Sequence, residues 1–152
     1  MNSNNNEKLL VSSCLAGFSC RYNGKGKPNK EIIELVKSGR GIPICAEQLA
    51  GLSIPRAPAE IVGGDGADAL NGEAKVLSKD GEDYTARMVT GAEKALAICK
   101  LYNIKKAYLK SKSPSCGVNH IYDGTFSDKI IKGDGVLSAL LKKNGIDIIE
   151  VE

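Results

Sequence analysis

Three cysteines in this chain each follow a short apolar run. Cys14 comes after residues 9–13, Cys45 after residues 41–44, and Cys116 shortly after residues 106–110. The last sits in Ser113-Pro114-Ser115-Cys116-Gly117, whose residue types make it a loop. Lys110 and Lys112 stand close by in sequence, and nearby cations favour thiolate over thiol. Apolar runs of this length read as buried strands. If those strands are parallel, their carboxyl ends share one rim, and neighbouring strands lie only about 4.8 Å apart. Thiols roughly 30 and 70 residues apart can then converge on one metal centre, although no local Cys-x-x-Cys pattern is present. Three soft ligands without a dedicated fourth suit either zinc with an open position or an iron–sulfur cluster with one free iron.

The remaining candidate ligands carry alternatives. His120, four residues after Cys116, could complete a zinc site, but a lone loop histidine is more often solvated. Cys20 could be a fourth ligand, a spare thiol or a packing residue, and its surroundings favour a bystander. Cys99 falls on the apolar face of a helical segment, where a free cysteine acts as a small hydrophobe.

The elements that must hold these residues alternate. Strands at 9–13, 41–44, 106–110 and 146–151 are separated by helices at about 29–39, 85–102 and 134–143. Pro43 places the second strand at an edge or margin. Residues 47–72 read as irregular, and residues 74–81 as a small hairpin arm. Asp123-Gly124-Thr125 reads as a turn and Asp134 as a helix cap. The order predicts an α/β fold: one domain over residues 8–152, with a mostly parallel, Rossmann-like sheet, helices on both faces and the arm. Residues 1–7 are polar and predict a disordered tail.

Composition narrows the function. A net charge of +3 in 152 residues, without a basic and aromatic stripe, argues against a nucleic-acid surface. No run approaches the roughly 20 apolar residues that span a bilayer, and the amino terminus does not resemble a signal peptide. The chain is therefore expected in the cytoplasm, where an odd set of five cysteines favours metal binding or catalysis over disulfides. A small-molecule substrate fits better than a polymer or a membrane.

Several motifs together resemble one family. They are Ser13-Cys14-Leu15-Ala16-Gly17, Arg21-Tyr22-Asn23-Gly24, Cys45-Ala46-Glu47-Gln48-Leu49-Ala50-Gly51-Leu52, Pro55-Arg56-Ala57-Pro58-Ala59-Glu60-Ile61, Lys110-Ser111-Lys112-Ser113-Pro114-Ser115-Cys116-Gly117 and Tyr122-Asp123-Gly124-Thr125-Phe126. Over residues 9–150 the chain is similar to the thiouracil desulfurases. Ala46, Asn23, Ala50 and Cys20 depart from that family's usual residues. The resemblance implies a 4Fe–4S cluster on Cys14, Cys45 and Cys116, with one iron open to the sulfur of a thiolated substrate such as 2-thiouracil or a related thioamide. It implies Glu47 as acid or base and Ser111, Ser113 and Ser115 as a loop that positions substrate or water. Glu47 lies two residues after Cys45, within reach of the same chemistry, although an exposed loop carboxylate would look the same. Arg21, Lys110 and Lys112 are candidates to bind substrate and stabilise developing charge. The implied reaction is hydrolytic and leaves the metal's oxidation state unchanged. The alternatives are a zinc-thiolate hydrolase and a non-catalytic carrier of sulfide, persulfide or a cluster.

Overall fold

The computed structural model describes residues 6–152. Residues 1–5 of the expected tail lie outside the described residues. β1 (Leu9–Ser12) is buried at all four positions, as a strand covered on both faces must be. A 3-10 turn (Ser13–Ala16) takes the chain off its end. In α1 (Lys30–Lys37) the cap is Asn29, whose side-chain oxygen accepts the N–H groups of Glu31 and Ile32. Then follow β2 (Gly41–Ile44), α2 (Ala46–Leu49), β3 (Ala59–Val62), α3 (Gly66–Leu70), β4 (Lys75–Ser78), α4 (Thr85–Leu101), β5 (Lys106–Lys110), β6 (His120–Tyr122), β7 (Ile130–Lys132), α5 (Val136–Lys143) and β8 (Asp147–Val151).

Four strands form a parallel sheet in the order β2-β1-β5-β8. Pro43 sits in β2, an edge strand, where a missing amide is tolerated. Side chains alternate across the sheet. Leu10, Ala107 and Leu109 pack with Met88, Ala92 and Ala95 of α4 and Leu137 and Leu141 of α5. Val11 and Tyr108 pack on the opposite face with Leu15 and with Ile32, Leu35 and Val36 of α1. Helices therefore cover both faces. From β1 the chain crosses to β2 on one side and later to β5 on the other. The crevice between them is a topological switch point, where open α/β sheets hold ligands.

Beyond β2 the sequence reading is revised in four places. Residues 47–72 are not irregular: they hold α2, β3 and α3. α2 is one turn long and β3 has four residues, too short for a periodic signal. The hairpin arm is built differently: β4 pairs antiparallel with the preceding β3, with Ile61 opposite Val76. The turn around Asp123 joins two three-residue strands, β6 and β7. Asp134 does not cap α5. Gly135 is the cap residue, and the Asp134 carboxylate accepts from the Asn119 N–H at 2.8 Å and from Lys142 Nζ at 3.0 Å.

No helix among the described residues is long and apolar enough to cross a membrane.

Candidate metal centre and active site

The adjacent strands β2, β1 and β5 deliver one thiol each to the same rim. Cys45 is the residue at the start of α2, Cys14 lies in the 3-10 turn after β1, and Cys116 lies in the loop after β5. All three line one cavity of about 500 Å³. Cys20 lines it too, although the sequence favoured a bystander. Cys20 is only 3% exposed, and its sulfur is 3.3 Å from Ser13 Oγ. All five cysteines are free thiols.

Cys99 behaves as expected, buried in the core among the residues of α4 with burial alone pushing its pKa up to about 11. His120 does not reach the cavity. It is exposed at the start of β6.

Serine hydroxyls grip the Cys116 loop. Ser12 Oγ accepts the Lys110 N–H at 2.9 Å and donates to Cys116 Sγ at 3.3 Å. Ser113 Oγ accepts the N–H of Cys116 at 2.7 Å and of Ser115 at 3.2 Å, the bond pattern of a hydroxyl-stabilised turn. Ser138, fully buried in α5, donates to the Cys116 carbonyl at 2.9 Å. Sequence reasoning missed Ser12 and Ser138. A serine inside an apolar strand or on a buried helix face was the signal available for each.

Two glycines let backbones close on the site. A Cβ at Gly91 of α4 would lie 2.3 Å from the Ala46 carbonyl oxygen, so α4 packs directly against α2 and fixes its position. A Cβ at Gly135 would lie 2.4 Å from the Ser115 carbonyl oxygen.

Glu47 is in the first turn of α2, with its side chain 13% exposed. Its two oxygens have different partners. Oε1 receives Arg56 Nη2 at 2.5 Å and Nε at 3.2 Å, and Oε2 receives Ser115 Oγ at 2.8 Å. Ser115 Oγ is also 3.1 Å from Ser113 Oγ and 3.8 Å from Cys116 Sγ. Carboxylate, hydroxyls and thiol thus form one hydrogen-bonded chain. Sequence reading named Arg56 only as part of a family motif and gave it no role.

Arg21, Lys110, Ser111 and Lys112 all line the cavity, and so does Lys27. Lys110 donates to Ser111 Oγ at 3.1 Å. Its pKa is pushed below the usual 10.5, first by burial and then by the charges of Lys27 and Arg21, with Lys112 adding to them. A group of cations this close to one another is an electrostatic welcome for negative charge.

The thiols do not titrate alike. Burial is the largest influence on Cys116 and pushes it up against the hydrogen bond from Ser12. The thiolate-favouring effect expected from Lys110 and Lys112 does not dominate there. Hydrogen bonding to Cys20 is the first cause raising both Cys14 and Cys45, and the same bonds lower Cys20. Without a cation among them, several buried thiolates cannot share one cavity. Among the described residues, no group of three or more His, Cys, Asp or Glu side chains is gathered to hold a metal ion.

Fold and site together define a doubly wound α/β protein with a thiol-lined cavity at its switch point. The chain belongs to the 2-thiouracil desulfurase family, whose model matches residues 9–152. It is 50% identical over 141 residues to the uncharacterized protein YbbK of Bacillus subtilis strain 168, covering 93% of each chain. The solved structure of TudS, a 4Fe–4S-dependent thiouracil desulfidase, superposes with a TM-score of 0.83 at 38% identity, over 95% of this chain and 90% of that one.

Proposed function

We propose that this protein replaces the sulfur of a small thiolated pyrimidine, such as 2-thiouracil, or of a related thioamide with oxygen from water. The carbon–sulfur bond breaks, a carbon–oxygen bond forms, and sulfur leaves as sulfide, with no net change of oxidation state. Membership of the desulfurase family supports the class of reaction. One structural observation carries it to residues: three strand-end thiols, Glu47 and the Ser113–Ser115 pair share one cavity.

Cys14, Cys45 and Cys116 would hold a 4Fe–4S cluster. Three soft thiols lining one cavity suit a thiolate-held iron–sulfur cluster. When bound, such a cluster supplies a soft Lewis acid for a thiocarbonyl sulfur.

The chain's own residues do the proton work. Glu47 Oε2, already bonded to Ser115 Oγ, takes a proton from the attacking water directly or through that hydroxyl. Ser113 holds Ser115 in place, and Ser111 presents its hydroxyl beside Lys110. Arg21, Lys110 and Lys112 stabilise negative charge as it moves onto the heterocycle.

Anaerobic reconstitution tests the proposal. The expected product is a brown protein with about four irons per chain that releases sulfide from 2-thiouracil. Glu47→Gln is expected to keep its colour and lose turnover by about a hundredfold or more. A colourless protein carrying one zinc, or a Glu47→Gln variant as active as the parent, would overturn it. A carrier would retain its bound sulfide or cluster in the variant and turn over nothing in either form.

A further inference from the structure

Arg56 is the one cation among the described residues within ion-pair distance of Glu47. Its side chain is only 4% exposed. Arginine and a carboxylate commonly pair fork to fork, two nitrogens on two oxygens. Here both Nη2 and Nε fall on the same oxygen, Oε1. Oε2 is left to Ser115. The guanidinium is itself fixed from two other directions. Nη1 donates to the Ser53 carbonyl at 3.1 Å, and Nη2 is 3.5 Å from the Cys20 carbonyl. The cation thus ties the loop after β1 and the turn before β3 to the first turn of α2.

We infer that Arg56 is the positioning residue of this site: by occupying Oε1 it fixes Glu47 so that Oε2 alone faces Ser115 and exchanges the proton. The inference rests on the role of Glu47 proposed above. A carboxylate at 13% exposure needs a countercharge, and a rotating one presents either oxygen. The pinned carboxylate presents one. Arginine suits this better than lysine, because its rigid fork reaches Oε1 with two donors while keeping others for the two carbonyls.

The test compares Arg56→Ala, Arg56→Lys and Glu47→Gln in the anaerobically reconstituted full chain, with 2-thiouracil as substrate. Arg56→Ala should lose roughly a hundredfold in kcat, the size of a misplaced general acid–base group, with KM and iron content within about twofold of the parent. Millimolar guanidinium should restore part of that loss, and should restore nothing to Glu47→Gln. Arg56→Lys should fall between Arg56→Ala and the parent. A crystal structure of Arg56→Lys should show Glu47 Oε2 displaced from Ser115 Oγ. Parent-like kcat in Arg56→Ala, or an undisturbed Glu47–Ser115 bond, would overturn the inference. Iron lost in step with activity would overturn it as well, by showing that Arg56 only supports the fold. If Arg56→Ala does not fold, the kcat and the crystal structure of Arg56→Lys decide. An inactive parent would instead refute the proposed desulfuration, and the position of Glu47 in the Arg56→Lys structure would still decide the role of Arg56.

Discussion

In the proposed reaction, Ser115 is the residue on which the proton path turns. Its hydroxyl stands between Glu47 Oε2 and Ser113 Oγ and lies 3.8 Å from Cys116 Sγ. Ser115→Ala keeps the backbone bonds of the loop, because Ser113 supplies those. We expect it to lower kcat by about tenfold to a hundredfold without bleaching the reconstituted protein, read by steady-state sulfide release and visible absorbance. Ser138 is the contrasting case. It faces the Cys116 carbonyl from a fully buried position and touches no reacting group. Ser138→Ala should cost about 1 kcal/mol of stability, seen as a lower urea midpoint, by leaving that carbonyl short of a partner. Its effect on turnover should follow only from that loss.

At the scale of elements, α2 matters beyond its four residues. It carries Glu47, begins at Cys45 and rests on α4 where Gly91 has no side chain. Gly91→Ala must push the Ala46 carbonyl away, and overpacking of this kind costs about 1–3 kcal/mol. Activity should fall further than stability, because the displaced helix takes Glu47 and Cys45 with it. A urea titration alongside kcat separates the two. Much of the large-scale order was legible in the sequence. The β1, β2 and β5 runs are short and apolar, Asn29 is a side-chain cap, and α4 repeats apolar residues over 17 positions. The rim placement of Cys14, Cys45 and Cys116 followed from strand ends alone. What escaped was short or depended on tertiary contact. β6 and β7 have three residues each, and α3 is announced only by an Asp65–Asp68 capping box in place of the usual Ser or Thr with Glu or Gln. Arg56 carries no local sign of what it meets, because its partner Glu47 lies on α2.

For the whole molecule, the half-buried charge of Lys110 opposes folding. Lys110 is pushed below its ordinary pKa by burial and by its basic neighbours, so the folded protein binds its proton less readily than the unfolded chain does. The cost is fully present below the depressed pKa and lifts as pH rises through it towards 10.5. Lys110→Met should therefore melt higher than the parent at pH 7 in the metal-free state. The gap should narrow as pH approaches 10, and thermal unfolding at the two pH values checks this. The same variant should bind thiouracil more weakly, a trade of activity against stability that is common where charge is concentrated for a ligand.

The placing of Cys14, Cys20 and Cys45 on one cavity has a practical side. Neighbouring thiols can surrender two electrons and two protons to dioxygen and become a disulfide. Protein prepared in air should accordingly titrate with fewer than its five sulfhydryls, refuse iron, and recover both properties after treatment with dithiothreitol. Glove-box handling from lysis onward would then decide the yield of brown protein more than the amount of iron supplied.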